Sequence, residues 1–189
     1  MVVYPIIAKK REKSFMKRIV LLVTASVMCF VFYSCLKKNN DECTFTDLNI
    51  QAPEAEVTRV EAYLDSVGIT NATKDPAGFY YIIQNTGTGL SPDVCSAVSV
   101  NYTGMLANGS IFGTTAGTPE MYTLGYLIAG WQKGLPHIKA GGKMKLFIPP
   151  SLGYGATAKT STDDQGNTVV VIPSNSILIF DLELVGVQQ

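Results

Sequence analysis

Histidine and tryptophan are almost absent from this sequence, which contains one of each among 189 residues. The single histidine, His137, has no cysteine or second histidine at metal-ligand spacing, which excludes a histidine-based metal site or catalytic triad. The turn Gly87-Thr88-Gly89 has no following Lys-Ser or Lys-Thr, which excludes a phosphate-binding loop. The sequence therefore predicts no metal and no cofactor.

A long apolar segment is also missing. The most apolar run, residues 19–33, is shorter than the about 20 residues that a membrane-spanning helix needs. Lys17-Arg18 precede this run and Ser34-Cys35 follow it, an order typical of a signal peptide. The Ser34-Cys35 ending resembles a bacterial lipoprotein signal, in which Cys35 is lipidated. A retained transmembrane anchor and a cleaved, secreted form are the alternatives.

Neither sign of charge is in excess, since 15 basic and 15 acidic residues balance. Residues 1–34 contain six of the basic groups and one acidic group, so the rest of the chain has a net charge of −5. An acidic domain offers no electrostatic footprint for nucleic acid, which is therefore excluded as a partner.

The chain divides into four predicted segments. A polar stretch without periodicity follows the apolar run, and a patterned stretch follows that. The segments are an N-terminal extension and signal peptide (1–34, starting at Met1 or Met16), a flexible tether after the lipidated cysteine (35–53), a helix and link (54–77) and a folded domain (78–189).

A helix is predicted over residues 54–67, because Val57, Val60, Leu64 and Val67 recur at three- and four-residue spacing. An isolated helix of this length is marginally stable in water, so we expect it to pack on the domain of a monomer. The alternative is a dimerisation arm.

The stretch VSVNYTGMLANGSIF (residues 98–112) is the most informative part of the chain. Apolar and polar residues alternate as in a half-buried strand, and Asn108-Gly109 predicts a tight hairpin turn. The other predicted elements are strands over residues 79–86, 97–105, 121–123, 142–148 and 176–187, a short helix over 128–135 and an exposed loop over 156–170.

Three further motifs follow this hairpin in a fixed order: LGYLIAGW (124–131), IPPSLGYGA (148–156) and IPSNSILIFDLEL (172–184). Together the four closely resemble the FKBP family of peptidyl-prolyl cis–trans isomerases, over roughly residues 78–187. The resemblance implies an α+β fold in which an antiparallel sheet wraps around a short helix, preceded here by the N-terminal helix. It also implies isomerase activity that assists the folding of exported proteins.

Prolyl isomerisation rotates a bond with a barrier of about 18–20 kcal/mol and breaks none. An apolar aromatic pocket with a few donors is sufficient, without a nucleophile, base or metal. By the resemblance, Trp131 forms the pocket floor, while the Tyr154 hydroxyl and the Ile172 N–H donate to peptide carbonyls. For any one of these residues the alternative is a plain core position. The expected catalytic residues are Tyr102, Phe112, Trp131 and Tyr154, and the expected substrate-binding residues are Leu127, Ile128, Ile172 and Phe180.

Three departures from the family pattern bear on activity. Gly113 follows Phe112 where the family usually has an aspartate that supports the tyrosine hydroxyl. Glu120 occupies a position where many members have an aromatic rim residue, and the segment 156–170 is enlarged. A catalytically weakened peptide-binding or chaperone module is therefore the alternative to an active isomerase.

Cys43 and Cys95 remain after the signal and the lipidated cysteine are set aside. Export permits a disulfide between them, and two free thiols are the alternative. The expected partners are proline-containing peptides, unfolded exported proteins and the membrane, with macrolide-type FKBP ligands as further candidates. The expected location is the cell envelope, with the domain facing the periplasm or the cell surface.

The lipidation hypothesis predicts that Cys35→Ser blocks acylation and processing, because the modified sulfur is gone. The variant should accumulate as an unprocessed precursor, while peptide binding by the domain stays the same. Mass spectrometry of the mature N-terminus measures this, with Cys29→Ser as the matched control. An unmodified Cys35 within an intact N-terminal segment of the wild type would instead indicate a retained anchor.

Overall fold

A seven-stranded antiparallel sheet forms the centre of the computed structural model, which describes residues 43–46 and 48–189. The predicted signal peptide and Cys35 lie outside these residues. In chain order the elements are α1 (Glu54–Ser66), β1 (Thr73–Lys74), β2 (Tyr80–Asn85), β3 (Ala97–Leu106), β4 (Ile111–Thr114), β5 (Glu120–Thr123), α2 (Ala129–Gly134), β6 (Gly142–Ile148), β7 (Lys159–Thr162), β8 (Thr168–Ile172) and β9 (Leu178–Gln188).

The strand order in the sheet is β1-β2-β6-β9-β3-β4, with β5 paired to the first half of β3. Strand β3 lies antiparallel to β9 from the pair Ala97–Gln188 to the pair Leu106–Leu178. This pairing of distant segments places the first and last motifs side by side. The predicted α+β class, with an antiparallel sheet, a short helix against it and a further helix before it, is confirmed.

Each face of the sheet is covered by a different helix. Side chains alternate along a strand, so Leu146 and Ile148 pack in the main core with Trp131 of α2, while Phe147 between them points to the other face. There Phe147 and Ile179 pack against α1. The sheet is therefore buried on both sides over β6 and β9.

Helix α1 contributes Val57, Val60 and Leu64 to this second core, as its periodicity predicts. The helix ends at Ser66, and Val67, placed by the sequence on the buried stripe, is 47 % exposed. The reason is local: Gly68 takes a positive φ of 70°, which turns the chain away after the last helical residue.

The two predicted connections have different outcomes. The turn at Asn108-Gly109 is confirmed: Gly109 has a φ of 85° and its N–H donates to the Leu106 carbonyl. The prediction of a loop over residues 156–170 is wrong, because β7 and β8 pair there as a separate hairpin. At its tip the Asp163 carboxylate accepts N–H bonds from Gln165 and Asn167, and the flanking strands are rich in β-branched residues.

The chain before α1 lies against the domain at three points within the predicted tether. Cys43 and Cys95 form a disulfide with a Cα–Cα distance of 5.8 Å, and so the alternative of free thiols does not hold. Phe45 packs edge-on against Tyr126 with ring centroids 4.7 Å apart. The Ala52 N–H donates to the Ala77 carbonyl. From Cys43 onward, none of the described helices is long and apolar enough to cross a membrane.

The disulfide predicts a measurable share of the stability. It closes a loop with a sequence separation of 52 residues, so the Cys43→Ser/Cys95→Ser double variant should lose about 2–4 kcal/mol of unfolding free energy. Urea unfolding followed by circular dichroism measures the loss, and the double variant should remain folded without denaturant. Wild-type protein reduced with dithiothreitol should show a similar loss, which separates the effect of the disulfide from that of the serine side chains. Equal urea midpoints for the oxidised wild type, the reduced wild type and the double variant would contradict the prediction.

Candidate active site

A cavity of about 360 Å³ opens between the main sheet, α2 and the β7–β8 hairpin. Its volume is in the range of small-molecule and peptide-side-chain sites. Seven of the twelve described lining residues are aromatic. The lining residues are Tyr102, Phe112, Gly113, Tyr122, Tyr126, Leu127, Ile128, Trp131, Tyr154, Lys159, Ile172 and Phe180. All eight pocket residues expected from the sequence are therefore brought together.

Four aromatic rings from four elements pack against one another in the cavity wall. Trp131 lies at the start of α2, with its ring centroid 5.4 Å from Tyr102 of β3 and 5.2 Å from Phe180 of β9, both edge-on. Phe112 of β4 meets Phe180 edge-on at 5.5 Å. Such edge-to-face contacts favour a fixed arrangement over a fluid one.

Gly104 makes this ring packing geometrically feasible. It lies in β3 opposite Phe180 and Gly113. A Cβ at Gly104 would stand 2.6 Å from the Phe112 ring and 3.0 Å from that of Phe180. The absence of a side chain therefore lets both rings approach the strand closely.

The buried residue Gln132 positions the segment between β5 and α2. Its side-chain amide donates to the Gly125 carbonyl at 3.0 Å and to the Leu127 carbonyl at 2.7 Å. These bonds hold Leu127 and Ile128 at the cavity wall. Ile128 caps α2 in an extended conformation, and its N–H has no acceptor among the described residues. Sequence analysis missed Gln132, whose only signal is a polar residue directly after Trp131 on a buried helix.

Two groups expected to donate to a peptide differ in their surroundings. Burial, and then the neighbouring Tyr102, raises the pKa of Tyr154, so its hydroxyl stays protonated near neutral pH. That hydroxyl has no acceptor within the described chain. Ile172 lies at the end of β8 opposite Lys159 of β7, and its donor role stays a prediction.

The position of the missing aspartate lies close against Tyr102. A Cβ at Gly113 would lie 3.3 Å from the Tyr102 hydroxyl oxygen. Tyr122 stands on the same side of the cavity, and its hydroxyl donates to the Glu120 carboxylate. Burial first and this hydrogen bond second raise the pKa of Tyr122 above its ordinary range. Glu120 is thus connected to the cavity wall by its hydrogen bond with Tyr122.

The indole nitrogen of Trp131 is unusual for a residue that is 4 % exposed. Its Nε1 is buried and has no hydrogen-bond partner in the described part of the protein. An unpaired buried donor costs about 1–3 kcal/mol. The Trp131 ring nevertheless lines the cavity, where it packs edge-on against Tyr102 and Phe180.

Sequence analysis did not identify three lining residues, Tyr122, Tyr126 and Lys159. Tyr126 is 80 % exposed and enters the wall because Gln132 and Phe45 hold the segment around it. Lys159 lies in the hairpin that the sequence suggested was a loop. None of the three has a local pattern that could have identified it.

His137 lies away from this cavity, at the end of a 3₁₀ turn over Leu135–His137. Its Nε2 is 2.9 Å from the Asp75 carboxylate, and its ring stacks on Tyr81 with centroids 4.3 Å apart. No three histidine, cysteine, aspartate or glutamate side chains within residues 43–46 and 48–189 are placed to hold a metal.

A comparison with protein-family models matches residues 91–185 to the FKBP-type peptidyl-prolyl cis-trans isomerases. This range is half of the chain and contains the whole cavity. The chain belongs to the FKBP family. Its FKBP match begins before β3 and ends within β9, so α1 lies outside the matched region.

The FKBP-type isomerase FkpA of Buchnera aphidicola subsp. Schizaphis graminum is 42% identical over 119 residues, which are 61% of this chain and 43% of that protein. FkpA of Escherichia coli K12 is 41% identical over 113 residues, 59% of this chain and 38% of that protein. The chain thus spans less than half the length of these curated relatives.

Solved structures show the same fold. A peptidyl-prolyl isomerase from Pseudomonas syringae pv. tomato aligns with a TM-score of 0.59 at 28% identity, covering 75% of this chain and all of the other. The crystal structure of E. coli FkpA aligns with a TM-score of 0.58 at 27% identity, covering 97% of this chain and 74% of the other.

Proposed function

We propose that this protein is a peptidyl-prolyl cis–trans isomerase that assists the folding of exported proteins. The observation that supports it most is the aromatic cavity of about 360 Å³, whose walls include all eight residues expected from the family motifs. Family membership and the FkpA-like relatives support the same reaction.

The chemistry follows from the polarity of the amide. The planar X-Pro amide is conjugated and strongly solvated, whereas the twisted amide of the transition state has lost its conjugation. An apolar cavity removes water from the planar form and leaves the twisted form less affected. The proline ring sits on Trp131 between Tyr102 and Phe180, and Phe112 closes one side. No bond is made or broken.

Donors at the rim then hold the flanking chain while the amide turns. The Tyr154 hydroxyl is protonated near neutral pH and lacks an internal acceptor, which suits it to a peptide carbonyl. The Ile172 N–H is the second donor expected from the family. The Ile128 N–H, which is also without an acceptor among the described residues, is a third donor.

Attachment to the cell envelope through Cys35 is part of this proposal. It is supported by the basic pair, the short apolar run and the Ser34-Cys35 junction. Several acyl chains on one residue would make the attachment stable, since one chain binds a membrane only marginally. The substrates would then be proline-containing segments of proteins that have crossed the inner membrane.

Isomerase activity is tested with short X-Pro peptides by NMR exchange or a protease-coupled assay. The full chain should accelerate cis–trans exchange well above the spontaneous rate. A folded protein, shown by circular dichroism, that gives no acceleration with any peptide would refute the proposal.

Tyr154→Phe removes one hydroxyl and leaves the ring. If that hydroxyl donates to the substrate, kcat/KM should fall roughly three- to tenfold, the equivalent of one hydrogen bond. Tyr63→Phe on α1, outside the cavity, is the matched control and should leave kcat/KM unchanged. Equal rates for the two variants would remove Tyr154 from the mechanism.

Gly113 favours a second candidate function, a binding or chaperone module with weak turnover. Gly113→Asp places a carboxylate beside the Tyr102 hydroxyl, where a Cβ stands at 3.3 Å. In a weakened enzyme kcat/KM should rise roughly tenfold, as expected for one charge-assisted hydrogen bond, while peptide affinity changes little. Gly113→Asn is the uncharged control. If peptides bind the Asp variant and turnover does not rise, the binding module is favoured.

A further inference from the structure

The charge of the cavity wall differs from the family pattern in sign. The negative group that the family usually has after Phe112 is absent, because Gly113 occupies that position. Among the described lining residues, Lys159 is the one with a charged side chain. The lining residues therefore include one positive charge, and the Glu120 carboxylate, which does not itself line the cavity, accepts a hydrogen bond from the lining residue Tyr122.

Lys159 reaches the cavity from the hairpin that is enlarged in this chain. It begins β7 and pairs with Ile172 at the end of β8, so the strand pairing connects it to another lining residue. Its ammonium nitrogen stands 4.8 Å from the centroid of the Tyr154 ring. This contact holds the cation above the residue expected to bind the substrate backbone.

The ammonium group has no carboxylate partner in the part of the chain that the structure describes. Lys74, Lys143 and Lys145 each pair with a glutamate or aspartate, whereas Lys159 pairs with none. A ring face satisfies part of the charge and leaves the N–H donors of the ammonium available. Lys159 is thus an unpaired cation at the mouth of an apolar site.

A bound peptide would bring side chains close to this cation. In the pose proposed above, the proline ring contacts Trp131 and the carbonyl before it accepts from Tyr154. The residue before the proline then adjoins Tyr154, and the Lys159 ammonium stands 4.8 Å from the centroid of that ring. An acidic side chain there gains a partner, and a basic one meets a like charge.

We propose that Lys159 makes this site selective for proline peptides in which an acidic residue precedes the proline. The proposal rests on the proposed function, since it names the class of substrate for the same cavity. It makes Lys159 a specificity-determining residue that acts on the substrate side chain, while the aromatic rings act on the proline.

The test compares three peptides that differ only in the residue before the proline: Glu, its neutral isostere Gln, and Lys. NMR exchange with the full chain gives kcat/KM for each, after subtraction of each peptide's spontaneous rate. The wild type should favour Glu over Lys by roughly fivefold at low salt, the size expected for exposed charge pairs. This ratio should shrink toward one at about 1 M salt, where the screening length is near 3 Å.

Charge variants then assign the preference to one side chain. Lys159→Gln should bring the Glu-to-Lys ratio close to one, and Lys159→Glu should invert it. Lys139→Glu, at an exposed lysine outside the cavity, is the matched control and should keep the wild-type ratio. Equal rates for the three peptides in the wild type, or a preference that persists in Lys159→Gln, would overturn the proposal while leaving the isomerase activity intact.

Peptide binding is a second measurement that tests the proposal even if no turnover is detected. The chain contains a single tryptophan, Trp131, in the cavity wall, so its fluorescence reports peptide binding directly. The affinities of the same three peptides for the wild type and Lys159→Glu should then show the same preference and the same inversion. Affinities independent of peptide charge would overturn the proposal. The absence of turnover alone would refute only the proposed isomerase activity.

Discussion

The edge-on packing of Trp131 between Tyr102 and Phe180 is the constraint on which the rest of the structure depends. One ring must complete the main core and also provide the base of an open cavity. This requires α2 to lie close to the sheet. Gly130 makes this possible because it has no side chain, whereas a Cβ there would stand 2.6 Å from Ile148. The indole N–H is left buried without a hydrogen-bond partner among the described residues, at a cost of about 1–3 kcal/mol.

Helix α1 supports the cavity from the face of the sheet opposite α2. Glu56 of α1 accepts the N–H of Ser151 at 2.8 Å, in the turn that precedes Tyr154, and Arg59 donates to the Asn175 carbonyl at 3.0 Å. Both contacts lie in segments that adjoin cavity residues. Helix α1, which lies outside the family match, therefore does more than cover apolar surface, since it also positions the chain that presents the Tyr154 hydroxyl.

The strands and pocket residues marked by a local pattern or a family motif could be predicted from the sequence, and those without such a mark could not. Alternation around Tyr102 and the Asn108-Gly109 turn are local signals, and both elements form as expected. Lys159 enters the wall only because β7 pairs with β8, a hairpin whose strands lack the apolar–polar alternation of a half-buried strand. The sequence could not decide whether Cys43 and Cys95 form a disulfide, because spacing along a chain does not measure distance in space.

If the protein is attached to a membrane through Cys35, as proposed, that bridge has a mechanical consequence. A tensile load applied ahead of Cys43 crosses the sulfur–sulfur bond to Cys95 and bypasses the intervening chain, including α1, β1 and β2. The load enters the fold two residues before β3, which is hydrogen-bonded to β9 on one side and to β4 and β5 on the other. The weakly paired N-terminal elements are thereby shielded, and the force is borne by the most extensively paired strand of the sheet.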